Sequence, residues 1–222
     1  ILQRNLIHSL NAASATAIVN GINISGGTNI LRNNMIRLGQ DAAGNDITVG
    51  AAFSGINEFL GTNTVFNNSI LITGSGVGGT ANTFAFNGQQ TTNTRSFQNN
   101  NFVNARSNGA GTGKHYGIRV GGTTPNPTGL TSNYNNVFVS GTGGVFGLFN
   151  ALDVANLAAW QAATGQDAQS ISSNPLYVSN TDLHLTSGSP SRNVGLVIAS
   201  VTNDFDGDSR PGTNLLYDIG AD

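Results

Sequence analysis

Leu31-Arg32-Asn33-Asn34-Met35-Ile36 sets a pair of asparagines between two short stretches rich in apolar residues, and this phrase decides the fold. It returns as Val65-Phe66-Asn67-Asn68-Ser69-Ile70-Leu71-Ile72, as Ser96-Phe97-Gln98-Asn99-Asn100-Asn101-Phe102-Val103 and as Asn133-Tyr134-Asn135-Asn136-Val137-Phe138-Val139. A partial copy, Leu2-Gln3-Arg4-Asn5-Leu6-Ile7, opens the chain. Matching asparagines recur after 28, 34, 32 or 33, and 35 or 36 residues. A period of this size is the signature of stacked repeats.

Asparagine tolerates the left-handed backbone conformation, and its amide bonds neighbouring peptide groups. A turn of one or two asparagines therefore bends the chain sharply between strands without folding it back as a hairpin. Upstream of each phrase lies a third apolar stretch, at 19–24, 56–60, 84–86 and 118–120. Three strands per repeat of about 30 residues predict an all-β, right-handed parallel β-helix. Matching asparagines in successive coils then form a ladder of side-chain amides. The rival, a sandwich of antiparallel hairpins, calls for short even spacing and hairpin turns. Asn-Gly turns are few, at Asn20-Gly21, Asn87-Gly88 and Asn108-Gly109, and none lies in the phrase.

Composition narrows the functional classes. Charged residues make up 9% of the 222-residue chain, against roughly 25% in an average globular protein. A net charge of −2 supplies no basic field for nucleic acid or an acidic membrane surface. No apolar run reaches transmembrane length. The absence of cysteine removes disulfides and thiolate metal sites together. A surface of Asn, Thr, Ser and Gly with little Lys suits an extracellular protein. Ile1 falls directly into a strand, which predicts a fragment with coils upstream of residue 1. Residues 1–222 read as one β-helix domain, of which 141–222 form the capping region at the C-terminal end.

Within that region 153–164 predicts the one α-helix, with Asp153 as N-cap and Gly165 in the left-handed position that ends it. Trp160 is read as the anchor that fixes the helix to the stack; a sugar-stacking platform is the alternative. Short strands are expected at 175–178 and 182–185.

Several phrases of the last third occur together and in order: Leu157-Ala158-Ala159-Trp160 through Asp167, Asn174-Pro175-Leu176-Tyr177-Val178, Asp182-Leu183-His184-Leu185 and Gly188-Ser189-Pro190. They end in Asp204-Phe205-Asp206-Gly207-Asp208-Ser209-Arg210-Pro211 and Asp218-Ile219-Gly220-Ala221-Asp222. This order resembles secreted right-handed parallel β-helix repeat proteins of Gram-negative bacteria, many of which are similar to type IX secretion cargo and surface proteins. The resemblance implies an outer-surface location and chain continuing past Asp222. It also implies a structural, adhesive or assembly role, with extracellular glycan, another surface protein or further domains of the same chain as partners. The fold is shared with polysaccharide lyases and glycoside hydrolases, and such an enzyme is the alternative.

Two groups of residues carry candidate chemistry. Asp204, Asp206 and Asp208 alternate around Gly207 as at the start of a calcium loop, but the twelfth position holds Leu215 in place of an acid. The preferred reading is a tight turn whose carboxylates Arg210 neutralises through a bidentate pair. A lyase needs a basic residue and a group that neutralises a uronate. Lys114, His115 and Arg119 are the catalytic candidates, with Arg106, Arg95 and Glu58 as further parts. No carboxylate cluster adjoins them in sequence, so exposed solvating charge is the preferred reading. Asp41 and Asp46 share one loop, too generic a pattern for an inverting pair.

Overall fold

The first three full asparagine pairs divide their work. The first residue, Asn33, Asn67 or Asn99, has φ between 51° and 56° and makes the left-handed bend. The second, Asn34, Asn68 or Asn100, turns its amide inward and is buried; in the fourth phrase Tyr134, at φ 55°, makes the bend and buried Asn135, the first of its pair, takes the inward place. Asn5 Nδ2 donates to Asn34 Oδ1 at 2.8 Å, Asn34 to Asn68 at 2.8 Å, Asn68 to Asn100 at 3.0 Å and Asn100 to Asn135 at 3.0 Å. The bonded partners lie 29, 34, 32 and 35 residues apart, and each Oδ1 also accepts the backbone N–H of the preceding asparagine. The expected ladder therefore exists, but Asn67 and Asn99 stand outside it.

The computed structural model describes residues 1–211 and 216–222; Leu215, the twelfth position of the calcium-loop comparison, lies outside them. The strands are β1 (Leu2–Gln3), β2 (Leu6–Ile7), β3 (Ile18–Arg32), β4 (Met35–Leu38), β5 (Ala52–Phe66), β6 (Ser69–Ile72), β7 (Thr83–Gly88), β8 (Arg95–Gln98), β9 (Asn101–Asn104), β10 (His115–Arg119), β11 (Leu130–Asn133), β12 (Asn136–Val139), β13 (Gly144–Phe149), β14 (Leu152–Val154), β15 (Tyr177–Ser179) and β16 (Asp182–Leu185). One helix, α1 (Leu157–Thr164), follows β14. The strands wind as a parallel β-helix of about five turns. Segments 18–24 and 52–58 with β7, β10 and β13 line the first face; β1, 28–32, 62–66, β8 and β11 line the second. The third face runs β2, β4, β6, β9, β12.

In-register stacking places like over like. Ile22, Ile56, Phe86 and Ile118 form one buried column, continued at Gly147. A side chain at Gly147 would lie 2.5 Å from the Trp160 ring, so this glycine gives the indole its place over the end of the core. Trp160 is fully buried against Phe146 and Phe149, which bears out the anchor reading and removes the sugar platform. Asn156, not Asp153, caps α1: its Oδ1 accepts from Ala159 N at 3.0 Å. Asp153 instead sits in β14, which pairs antiparallel with β13, so the helix starts later than the sequence predicts. Gly165 ends it at φ 66° as expected.

The ladder needs a final acceptor, and Asp167 supplies it. Its carboxylate, buried at 1% exposure, accepts from Asn135 Nδ2, the Ser132 and Ser170 hydroxyls and Trp160 Nε1. Beyond this point the chain returns along the stack. β15 and β16 form an antiparallel hairpin; β15 begins two residues later than expected. Leu183, Tyr177, Phe205 and Ala221 cover the outward side chains Met35, Leu71 and Val103 of the third face.

Candidate functional site

The three basic candidates of β10 and its approach go to different places. Lys114 Nζ pairs with Asp153 on the outside of the first face, both partly exposed. His115 is fully buried. Its Nε2 meets Asn108 Oδ1 at 3.0 Å and its Nδ1 meets Thr83 Oγ1 at 2.9 Å. Because Asn108 Nδ2 donates to Gly113 O, its Oδ1 must accept from histidine; the Thr83 hydroxyl, which accepts from Asn104 Nδ2, then donates to Nδ1. The imidazole is thus neutral with its proton on Nε2. Burial, with the nearby Arg106 charge, pushes its pKa down to about 4. Arg119 lies half-buried on the outer surface, at the end of a second amide line. There Asn57 donates to Asn23 Oδ1, Asn87 to Asn57 Oδ1, and Arg119 Nη1 to Asn87 Oδ1 at 3.4 Å.

Arg106, Arg95 and Glu58 are internal. The Arg106 guanidinium lies over the Phe53 ring and donates to the carbonyls of Thr73, Ile47 and Val49; burial lowers its pKa to about 10. Arg95 donates to the carbonyls of Asn93, Thr128 and Gly121. Glu58 accepts from Asn63 Nδ2 at 2.7 Å, and burial raises its carboxyl pKa. Both arginines tie loops to the stack. Asp41 closes its own loop through Ala43 and Asn45, while Asp46 crosses to Ser75 of the next coil.

Beside Arg119 the first face carries a groove of about 510 Å³, lined among others by Asn82, Phe84, Gln89, Leu148 and Asn150. Phe84 stacks on Tyr116 with centroids 4.9 Å apart, and the Tyr116 hydroxyl donates to Asp153 at 2.8 Å. The groove sets amide and guanidinium groups beside an apolar lining that includes Phe84 and Leu148. Sequence reasoning missed it, because residues from three coils converge only through register.

The Asp-rich ending is also redistributed. Asp204 Oδ1 accepts the N–H groups of Gly207 and Asp208 and closes the turn. Asp206 instead meets His184 Nε2 at 2.8 Å, and the other ring nitrogen of His184 bonds Asp182. Among the described residues, only His184, Asp206 and Asp222 bring three metal-ligating side chains together. Burial works against the charge on His184, but the hydrogen bonds to Asp182 and Asp206 outweigh it and its pKa lies above the ordinary value. Arg210 makes no bidentate carboxylate pair among the described residues. It is buried and donates to the carbonyl oxygens of Asp218, Gly220 and Asp222, since the final residues present backbone rather than side chains to it. His184 was not singled out from sequence, although Asp182 and His184 share one side of a strand by the period of two.

No protein-family model matches the chain, and neither a curated protein nor a solved structure does. The class the structure defines is that of a parallel β-helix with a docked C-terminal return.

Proposed function

We propose that this chain is an extracellular, non-catalytic β-helix module of the cell surface, with an adhesive or assembly role exercised by binding neutral glycan in the groove of the first face. One observation carries the reading. The groove offers amides, a guanidinium and aromatic and aliphatic edges, while the bases beside it are engaged: Lys114 with Asp153, and His115 inside the core. Sugar hydroxyls suit amide and guanidinium partners, and flat apolar edges suit the sugar ring. A lyase base must be free to take a proton near a bound uronate. Stacked coils also hold such a surface rigid.

The test is calorimetric titration with neutral and uronate-containing oligosaccharides, alongside assays for chain shortening. Binding of neutral oligosaccharides without turnover is expected, weakened at least tenfold by Arg119→Ala or Gln89→Ala. No binding of any neutral oligosaccharide overturns the reading. Turnover abolished by Lys114→Ala or Arg119→Ala would instead establish a polysaccharide lyase or glycoside hydrolase.

A further inference from the structure

A second site lies on the segment that covers the third face and is independent of the glycan reading. A ring nitrogen of His184, a carboxylate oxygen of Asp206 and one of Asp222 lie within 4.8 Å of one another, and Nε2 meets Asp206 at 2.8 Å. They come from the β15–β16 hairpin, the turn after residue 203 and the last residues, so the return of the chain assembles them. Each is held by a separate device. Asp182 bonds His184 Nδ1 and so aims Nε2 at the other two. The Leu185 N–H holds one oxygen of Asp222 at 2.8 Å and so fixes the carboxylate. The turn closed by Asp204 presents Asp206, whose side chain is 52% exposed.

We propose that His184, Asp206 and Asp222 bind a divalent transition cation of the zinc type, with Asp182 as the outer carboxylate that orients the imidazole. One imidazole nitrogen with two carboxylate oxygens is a three-residue donor set suited to zinc, with a further position open on the exposed side. Calcium prefers six to eight oxygens and is poorly served by an imidazole. The local charge agrees. Three carboxylates surround one imidazole, with Asp204 and Asp218 adding negative field at Asp222. Opposing them are Arg37, beside Asp182, and Arg210, beside Asp222 and bonded to its main-chain oxygen. The cation replaces the proton between Nε2 and Asp206, which leaves to solvent. An outer carboxylate on a ligating histidine is a recurrent partner in such sites.

Titrating the full chain with zinc chloride by calorimetry tests this. One ion should bind per chain, and the melting temperature should rise with free zinc; calcium at the same concentration should leave it unmoved. Asp206→Asn, which keeps the shape of an exposed side chain, should weaken zinc at least tenfold. Asp182→Asn should weaken it about 10- to 100-fold without removing a ligand, and His184→Ala should abolish it. Absence of one-to-one binding, zinc affinity unchanged by Asp206→Asn, or calcium matching zinc would each overturn the site.

Discussion

The stack and the segment that returns along it are held by opposite kinds of contact. In the stack every coil repeats the same bonds, a parallel backbone ladder outside and the Asn34–Asn68–Asn100–Asn135 amides within. Among the described residues, 190–222 add no strand to any face of the stack. They are caught one bond at a time by the turns of successive coils. Asn33 Nδ2 donates to Asn203 O, Asn67 to Asp218 O and Asn99 to Leu196 O, while Leu196 N donates back to Asn99 Oδ1. Asn101 reaches Ile219 O, Arg4 reaches Phe205 O, and Ser69 Oγ accepts from Ala221 N. The same asparagine pair thus serves both regions, its second residue stabilising the core and its first gripping the return. Regular structure comes from a repeated contact, and docking comes from contacts used once.

If that division is right, damage to the junction and the stack should be global, and damage to the return should be local. The largest effect is expected from Trp160→Ala, which opens a cavity over the last coil and strips a donor from Asp167. It should cost about 4 kcal/mol in chemical denaturation; a loss under half of that would mean the core does not depend on its lid. Asn100→Leu should cost about 3 kcal/mol, because in a buried channel it removes the acceptor that Asn68 N and Asn68 Nδ2 share, one of the two donors to Asn135 Oδ1, and the donor to Val65 O.

Third in size is a pH effect within the stack. The folded pKa of His115, pushed down to about 4, lies below the ordinary value of 6.5, so between those limits the unfolded chain binds the extra proton. This contribution is complete above pH 6.5 and is lost as pH falls toward 4. Between pH 7.5 and 5 it amounts to about 2 kcal/mol. A His115→Gln variant should show a correspondingly flatter stability profile; an identical slope would show that His115 does not titrate on unfolding.

Asn99→Gly tests the return alone, since glycine keeps the left-handed turn and deletes both bonds to Leu196. About 1 kcal/mol is expected, read as faster amide exchange around residues 195–197 with stack amides unchanged. Uniformly faster exchange across both regions would merge them into one cooperative unit. The smallest effect belongs to Lys114→Ala, which removes an exposed ion pair and should change stability by less than about 1 kcal/mol.

The repeating part of the molecule was legible in advance. Strand positions, three faces per coil and an amide ladder all follow from the spacing of Asn33–Asn34, Asn67–Asn68, Asn99–Asn100 and Asn135–Asn136. The role of each asparagine within its pair was not, because both residues suit a turn and both are buried; only the left-handed φ of the first and the direction of each side chain separate them. A further signal was present and unused. Ser69-Ile70-Leu71-Ile72 is buried throughout, and an unbroken apolar run in a parallel strand implies cover on both sides. That cover is the return segment, whose own residues show no period.

The candidate sites divide in the same way. Lys114, His115 and Arg119 are neighbours in sequence, yet the pleat and the entry turn of β10 send one to an ion pair, one into the core and one along an outer amide line. His184 and Asp206 lie 22 residues apart and meet at 2.8 Å. By itself, then, the sequence determined the β-helix and its ladder, because a period writes the same local choice again and again. Only the tertiary structure decided which asparagine bends and which bonds, what caps the ladder at Asp167, and where His184, Asp206 and Asp222 meet. Those outcomes rest on single contacts between distant segments, and no local pattern encodes a contact made once.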